Sequence, residues 1–381
     1  MKVHESMDKP WFLLPFNSKK INDNYLVTTF FGSWALLSKT EYNKLLKRDI
    51  NTHDSLFNKL HGEKIVISEE NVKDLTKDFK NLNLNLFLGP SLHIISLTPE
   101  CNLNCVYCHA KNRKIKPMNK KTAVKVLNFI FQSPSNALTI EFQGGEPLLN
   151  WDVLKFIVKE AKKINEIEKK DLKITLVSNL TLLNKEQIDF ILKNDLTVCT
   201  SLDGPKFIHD KNRFFSGKKG SYDIVTKNIE NTNLASKEKQ NKKIVGALPT
   251  ITKYSLPYWK EIVDEYAEQG FEKIHLKFLN YLGTAKENWN SIGYSAEEFL
   301  NFWRSALDYI LELNKKGIKI KETTAEIMLT KILGKRDPLY TELMSPCGAG
   351  RSQILYTEDG GIYTCDEARM TGNDLFRLGN V

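Results

Sequence analysis

The chain has 381 residues, a formal net charge of +9 and an isoelectric point near 9.0. At 41% hydrophobic and 27% charged it can bury a core, which excludes wholesale disorder. No apolar run of about eighteen residues offers a transmembrane helix, and the start MKVHESMDKPWFLLPF has no long apolar signal region, so a cytoplasmic protein without membrane partners is expected. Lysines recur in scattered pairs (Lys19-Lys20, Lys162-Lys163, Lys169-Lys170, Lys242-Lys243) with no Arg-rich tract. The charge is read as a solvated surface, and nucleic acid is not expected as a partner.

The first ninety residues read as a unit of their own. Tyr25–Thr29 and Trp34–Leu37 are strand-like and split by Gly32-Ser33, which predicts a hairpin. Thr40 can cap a helix carrying Tyr42, Leu45 and Leu46. Further helices are expected over Asp54–Leu60, ended by Gly62, and over Ser68–Leu82. In the latter, Glu69 and Glu70 sit at the positive helix end and Val72, Leu75 and Phe79 form an apolar stripe. A hairpin with short helices resembles a small winged-helix module.

From Leu92 strand and helix patterns alternate. Strands are expected at His93–Leu97, Ala137–Glu141, Ile174–Ser178, Val198–Leu202, Val245–Thr250 and Lys273–Phe278. Helices fit Lys120–Phe131, Trp151–Ile164, Lys185–Leu192, Gly220–Leu234 and Pro257–Gln269. About six β-α units argue an α/β fold on a parallel sheet, either a partial barrel or a doubly wound sheet. Ser295–Lys316 reads as one long helix whose Phe299, Phe302, Trp303, Ala306 and Ile310 stripe is core packing. A hairpin signal stands at Asp359-Gly360-Gly361.

Six cysteines are too few for a disulfide scaffold, and their positions carry the chemistry. Cys101, Cys105 and Cys108 lie within eight residues on the loop after the first core strand. Cys347 and Cys365 form a late pair, and Cys199 stands alone inside a strand as a small hydrophobe. Three thiolates from one loop can converge on one metal centre. Structural zinc wants four ligands, and no fourth cysteine is near, whereas three thiolates suit a [4Fe–4S] cube with one open iron. His109, next to Cys108, is read as a loop residue.

The spacing Cys-x3-Cys-x2-Cys in this position resembles the radical SAM superfamily. The resemblance implies a partial (β/α)6 barrel and a [4Fe–4S] cluster on Cys101, Cys105 and Cys108. The fourth iron of that cluster would bind the amino and carboxylate groups of S-adenosylmethionine. One electron then breaks a C–S bond and yields a 5′-deoxyadenosyl radical. Gly144-Gly145-Glu146-Pro147, at the end of the second strand, resembles the family's element for the amino group. Two glycines allow close backbone approach, Pro fixes the exit, and the carboxylate can accept from an ammonium. Ser178 and Asn179 would meet the ribose or carboxylate, or form a strand-end turn. Ser201 and Arg213 would hold the carboxylate, and Tyr107 would pack near the adenine or within its loop. The block Ser201-Leu-Asp203-Gly204 through Arg213 to Gly220-Ser221-Tyr222 resembles enzymes acting on peptides and proteins, sulfatase maturases among them; Asp203-Gly204 can also be a plain turn.

Cys347, twelve residues, Gly360, four residues and Cys365 resemble the first half of a SPASM or twitch domain with an auxiliary cluster. With Cys347-Gly-Ala-Gly350-Arg-Ser-Gln and Phe376-Arg-Leu-Gly-Asn-Val381, the wider text resembles the radical SAM maturases of the His-Xaa-Ser peptide system. A full SPASM domain has further cysteines, so the expectation is an incomplete segment. Its pair could draw ligands from elsewhere, form no cluster, or serve as a redox disulfide or zinc half-site. Asp366 and Glu367 are acid/base candidates there, or else solvated loop acids.

The expected organisation is a leader-peptide-binding-like module over 1–90, a partial barrel over 91–294, connecting helices over 295–345 and an incomplete SPASM/twitch segment over 346–381. The expected activity is modification of a ribosomally made precursor peptide, with an electron donor such as ferredoxin or flavodoxin. The alternatives are a sulfatase-maturase-like enzyme on a protein substrate and a non-catalytic iron–sulfur partner-binding protein.

Overall fold

The computed structural model describes residues 10–83, 88–109, 116–240, 244–334 and 337–381. The opening nine residues and Lys242-Lys243, both used above, lie outside them. The chain divides into two compact units, residues 1–87 with 327–340, and residues 88–326 with 341–381.

In the first unit β1 (Trp11–Leu13) is followed by an antiparallel sheet of β2 (Phe16–Ile21), β3 (Asn24–Thr29) and β4 (Trp34–Ser38). The predicted hairpin is β3–β4, and Gly32 takes the positive φ of 84° that its turn requires. Helix α1 (Lys39–Lys47) is capped by Ser38 rather than Thr40, because Ser38 and Glu41 form a reciprocal capping box. After α2 (Ser55–Gly62), Val66–Ser68 form β5, which pairs with β1. The expected helix therefore starts late, as α3 (Val72–Asn83), since Ser68 ends a strand and Asn71 accepts its N–H at 2.9 Å. Val27, Leu37, Leu45, Leu60 and Val66 form the core of this unit, and Trp34 Nε1 donates to the Ile332 carbonyl at 3.1 Å.

The second unit opens with β6 (Leu92–Ser96), α4 (Lys120–Phe131), β7 (Ala137–Gln143), α5 (Trp151–Glu168), β8 (Asp171–Val177), α6 (Lys185–Lys193) and β9 (Thr197–Ser201). It continues through α7 (Lys206–Asn212), α8 (Tyr222–Gln240), β10 (Val245–Leu248) and α9 (Trp259–Glu268). These five strands are parallel neighbours in the order β10-β9-β8-β7-β6. In β7, Leu138, Ile140 and Phe142 are buried while Thr139, Glu141 and Gln143 are half-buried. The alternation gives this parallel sheet an apolar face under helices and a polar face for chemistry, unlike the all-apolar strands of a fully covered sheet. Burying Phe142 completely is worth about 1.5–3 kcal/mol. Cys199, on the polar face, is half-buried rather than a core hydrophobe.

The sixth parallel strand is not the expected one. Only Lys273–Ile274 are extended (β11). They pair with β12 (Lys321–Glu322), while Lys277 touches Thr250 in an isolated bridge. Between them lie α10 (Thr284–Glu287), α11 (Trp289–Ile292) and the long α12 (Ala296–Lys315), whose Ser295–Glu298 capping box fixes its start. Helix α13 (Thr323–Gly334) follows. Instead, β13 (Gln353–Tyr356) pairs in parallel with β6 on its open edge. The hairpin expected at Asp359-Gly360-Gly361 then joins β13 to β14 (Gly361–Tyr363). Helix α14 (Asp366–Met370) and β15 (Arg377–Asn380) complete an eight-stranded sheet. Residues 346–381, expected as a segment apart, thus share the sheet that carries the cysteine loop.

Candidate active site

The polar ends of β6 to β10 converge. The cysteine loop leaves β6 through Leu97–Glu100 and is held on two sides. Asn104 N–H donates to Phe214 O at 2.7 Å and Val106 N–H to Asn212 O at 3.0 Å, which lays the loop on the segment after α7. Asn288 Nδ2 donates to Val106 O at 2.7 Å, and Thr284 N–H to Cys108 O at 2.9 Å. Leu103, Cys105, Tyr107, Leu279, Ala285 and Ile292 form a small separate core here.

Cys105 is buried and Cys101 and Cys108 are half-buried, and all three are free thiols. Burial pushes the Cys101 thiol up to about 11 and the Cys105 thiol up to about 12; Cys101 also feels Glu146 and the Cys108 sulfur, and Cys105 both other sulfurs. Among the described residues no three His, Cys, Asp or Glu side chains are gathered tightly enough for a single metal ion. Loading a cluster onto these three thiols must displace their protons.

The glycine element braces this loop. Gly144 has φ +146°, and a Cβ there would stand 2.5 Å from Thr98 O; one on Gly145 would overlap the Glu100 carbonyl. Gly145 N–H donates to Thr98 O and Glu146 N–H to Glu100 O, both at 2.7 Å. Pro147 is buried at the start of a short turn. The Glu146 side chain departs from expectation. It is fully buried, with Oε1 accepting from Ser178 Oγ (2.7 Å) and Leu148 N (3.1 Å), and Oε2 from Asn179 N (2.8 Å). Burial lifts its carboxyl to about 6 against those donors. It ties β7 to β8 and does not face outward to accept from an ammonium. Asn179 turns Nδ2 to Cys101 Sγ at 3.8 Å and to Asn102 Oδ1 at 3.0 Å.

A second buried carboxylate is Asp203, which the sequence reading placed in the block running to Arg213, or in a plain turn, without giving it a role of its own. It has no exposure and collects four donors: Tyr107 OH (2.5 Å), Asn212 Nδ2 (3.0 Å), Arg213 Nε (3.1 Å) and Thr250 N (3.1 Å). Arg213 lies 5.1 Å over the Tyr107 ring and points Nη1 at Cys105 Sγ, 3.8 Å away; its Nη2 has no hydrogen-bond partner among the described residues. Tyr107 thus packs within the loop, with its hydroxyl on Asp203 and its ring beside Arg213. The available signal was an acid at an apolar strand end with an Arg ten residues on. Ser201 is half-buried, and its hydroxyl has no partner among the described residues.

At the C-terminus, Cys347 is exposed and Cys365 buried, both free, with Cys365 Sγ accepting from Ala368 N at the start of α14. Asp366 is not a solvated loop acid: it accepts from Arg369 Nε at 3.1 Å and Nη2 at 2.5 Å. Arg369, buried, reaches Ser96 Oγ at 3.3 Å, and Ser96 donates to Glu358 Oε1 at 2.6 Å. Glu367 lies against Cys365.

The profile of the radical SAM superfamily matches residues 95–253, which run from the end of β6 past β10 and include the cysteine loop, Glu146, Asp203 and Arg213. Residues 95–253 are a radical SAM domain. Such a domain binds a [4Fe–4S] cluster and S-adenosylmethionine. The chain is similar to the cysteine-type anaerobic sulfatase-maturating enzyme of Clostridium perfringens, 27% identical over 307 residues, 76% of this chain and 77% of that one. It is 21% identical to the radical SAM cyclopropyl synthase TigE of Paramaledivibacter caminithermalis over 65% of this chain and 54% of that one. In fold it resembles anSMEcpe with bound AdoMet (TM-score 0.65, 21% identity, 76% and 78% coverage). It also resembles Streptococcus suis SuiB bound to precursor peptide SuiA (TM-score 0.55, 14% identity, 92% and 82% coverage). Around the radical SAM domain, no helix among the described residues is long and apolar enough to cross a membrane.

Proposed function

We propose that this radical SAM enzyme abstracts a hydrogen atom from a ribosomally made peptide or a protein, with its cluster on Cys101, Cys105 and Cys108. The observation that carries the reading is the joining of three free thiols on one loop to the ends of β7, β8 and β9 through Glu146, Asn179 and Arg213. Held by those three cysteines, a cluster would supply the single electron that reductive cleavage of S-adenosylmethionine requires. The chain's own groups hold the parts. Arg213 keeps Nη2 for a carboxylate, Ser201 offers a hydroxyl on the same polar face, and Asn179 donates toward Cys101.

Similarity to a sulfatase-maturating enzyme and the fold of SuiB bound to a precursor peptide support a polypeptide substrate. Between them, the His-Xaa-Ser peptide maturases are the branch that the Cys347–Val381 text favours, and protein maturation is the second reading, favoured by the 27% identity. The unit built on residues 1–87 would bind the peptide's leader by strand addition to an edge of β2–β4. The electron would come from a ferredoxin or flavodoxin. The test is incubation with a candidate peptide deuterated at one residue type. Deuterium in 5′-deoxyadenosine supports the reading; 5′-deoxyadenosine formed at the same rate without peptide, and never labelled, refutes the peptide assignment.

A further inference from the structure

We infer that Asp203 and Arg213 form a relay that sets the reduction potential of the cluster through Cys105. The inference rests on the assignment of Cys105 as a cluster ligand. Asp203 acts as a positioning residue and Arg213 as the donor.

The geometry has three parts. The Asp203 carboxylate is fully buried at the exit of β9 and holds Arg213 by Nε at 3.1 Å. That grip turns Nη1 to the Cys105 sulfur at 3.8 Å, within reach of an N–H···S contact. Tyr107, two residues from Cys105, closes the arrangement from below. Its hydroxyl donates to Asp203 at 2.5 Å and its ring lies 5.1 Å from the guanidinium carbon. Asn212 Nδ2 and Thr250 N–H fill the remaining acceptor sites of the carboxylate, so it has one orientation available. Asn212 is itself held by Thr252, whose hydroxyl donates to Asn212 Oδ1 at 3.2 Å.

A cluster gains negative charge when reduced. A cationic N–H aimed at a ligand sulfur in a buried site stabilises that charge and raises the potential. Cys101 is treated differently: its side-chain donor is the neutral amide of Asn179, and its backbone donor is Leu103 N–H. Of the two sulfurs, Cys105 therefore faces the charged group. The carboxylate alone would lower the potential, so its contribution to easier reduction has to act through the arginine.

The test is an EPR-monitored redox titration of the full chain, reconstituted anaerobically, without S-adenosylmethionine. The samples are native, Arg213→Gln, Asp203→Asn and the double variant, with iron content and melting recorded on each. Arg213→Gln shifts the midpoint to lower potential. Asp203→Asn shifts it less upward, or downward, in the native background, and purely upward in the Arg213→Gln background, since only the native background contains an arginine to release. Arg213→Lys keeps the charge without the fork and falls between native and Arg213→Gln. It carries the test alone if the glutamine variant does not melt cooperatively. A native potential in either arginine variant, or equal Asp203→Asn shifts in both backgrounds, overturns the relay. A native chain without iron overturns the cluster assignment and the relay together, whereas a native cluster indifferent to Arg213 overturns the relay alone.

Discussion

Ser178 donates its hydroxyl to Glu146 at 2.7 Å, joining the end of β8 to the glycine element at the end of β7 in a place neither side chain shares with water. The second Glu146 oxygen takes the Asn179 N–H, so the residue next to the Cys101 sulfur is set by the same carboxylate. Glu146→Gln puts an NH2 group where one of three donors needs an acceptor. Loss of about 1–3 kcal/mol in denaturant unfolding of the full chain is expected, with reduced 5′-deoxyadenosine formation. An unchanged midpoint would contradict the strut.

Gly145 tests the bracing of the cysteine loop. A Cβ at this position overlaps the backbone of Glu100, one residue before Cys101, and backbone has little room to yield. Gly145→Ala should cost about 1–3 kcal/mol and lower the iron bound per chain after reconstitution. Gly62→Ala is the control: it ends α2, meets nothing within 4 Å, and should leave iron content at the native value.

Two buried imidazoles give the chain a pH dependence with a definite sign. His93, between Tyr356 OH (2.9 Å) and Pro90 O (3.1 Å), and His209, against Ser221 and the Asp203 N–H, are both pushed by burial from 6.5 to about 4. Between those values the unfolded chain binds the extra protons, so stability rises with pH. It is complete above about 6.5 and is lost as pH falls toward 4, by roughly 3 kcal/mol per group. Glu146, raised from 4.5 to about 6, works the other way in its narrower window. Urea midpoints measured from pH 4 to 8 should therefore fall on the acid side, and His93→Gln should flatten that fall.

Arg369 is the pin of the C-terminal strands. Its side chain is 2% exposed and is shared between Asp366 and Ser96, while β13 lies parallel along β6. Arg369→Ala leaves the half-buried Asp366 without its partner and opens a gap beside Ser96, and should destabilise the second unit by about 1–3 kcal/mol. Unfolding followed by a probe in each unit reads this. Equal stability would mean that the pairing is ornamental.

What the sequence showed most clearly was local chemistry. The cysteine spacing, the glycine pair and the periodicity of α4 to α6 and α12 were legible because each is written in a few adjacent residues. The β13–β6 pairing was not, since it joins Gln353 to Leu92 across the chain and its alternation is hidden by four buried residues in a row. The strand expected at Lys273–Phe278 shrank to two residues for the same reason: apolar content was present, but its neighbour Lys321–Glu322 came from far along the chain. Asp203 stood in a quoted block but received no role, because an Asp-Gly pair can equally be a turn and its four donors come from the cysteine loop, the end of α7 and the exit of β10.

The most direct measurement is 5′-deoxyadenosine formed under anaerobic, reducing conditions from S-adenosylmethionine by the iron-loaded native chain and by Cys105→Ala. The native chain should carry iron and sulfide and release 5′-deoxyadenosine, and the alanine variant should do neither. A native chain that binds only zinc, or an alanine variant that keeps both its iron and its 5′-deoxyadenosine, would contradict the assignment of the three cysteines.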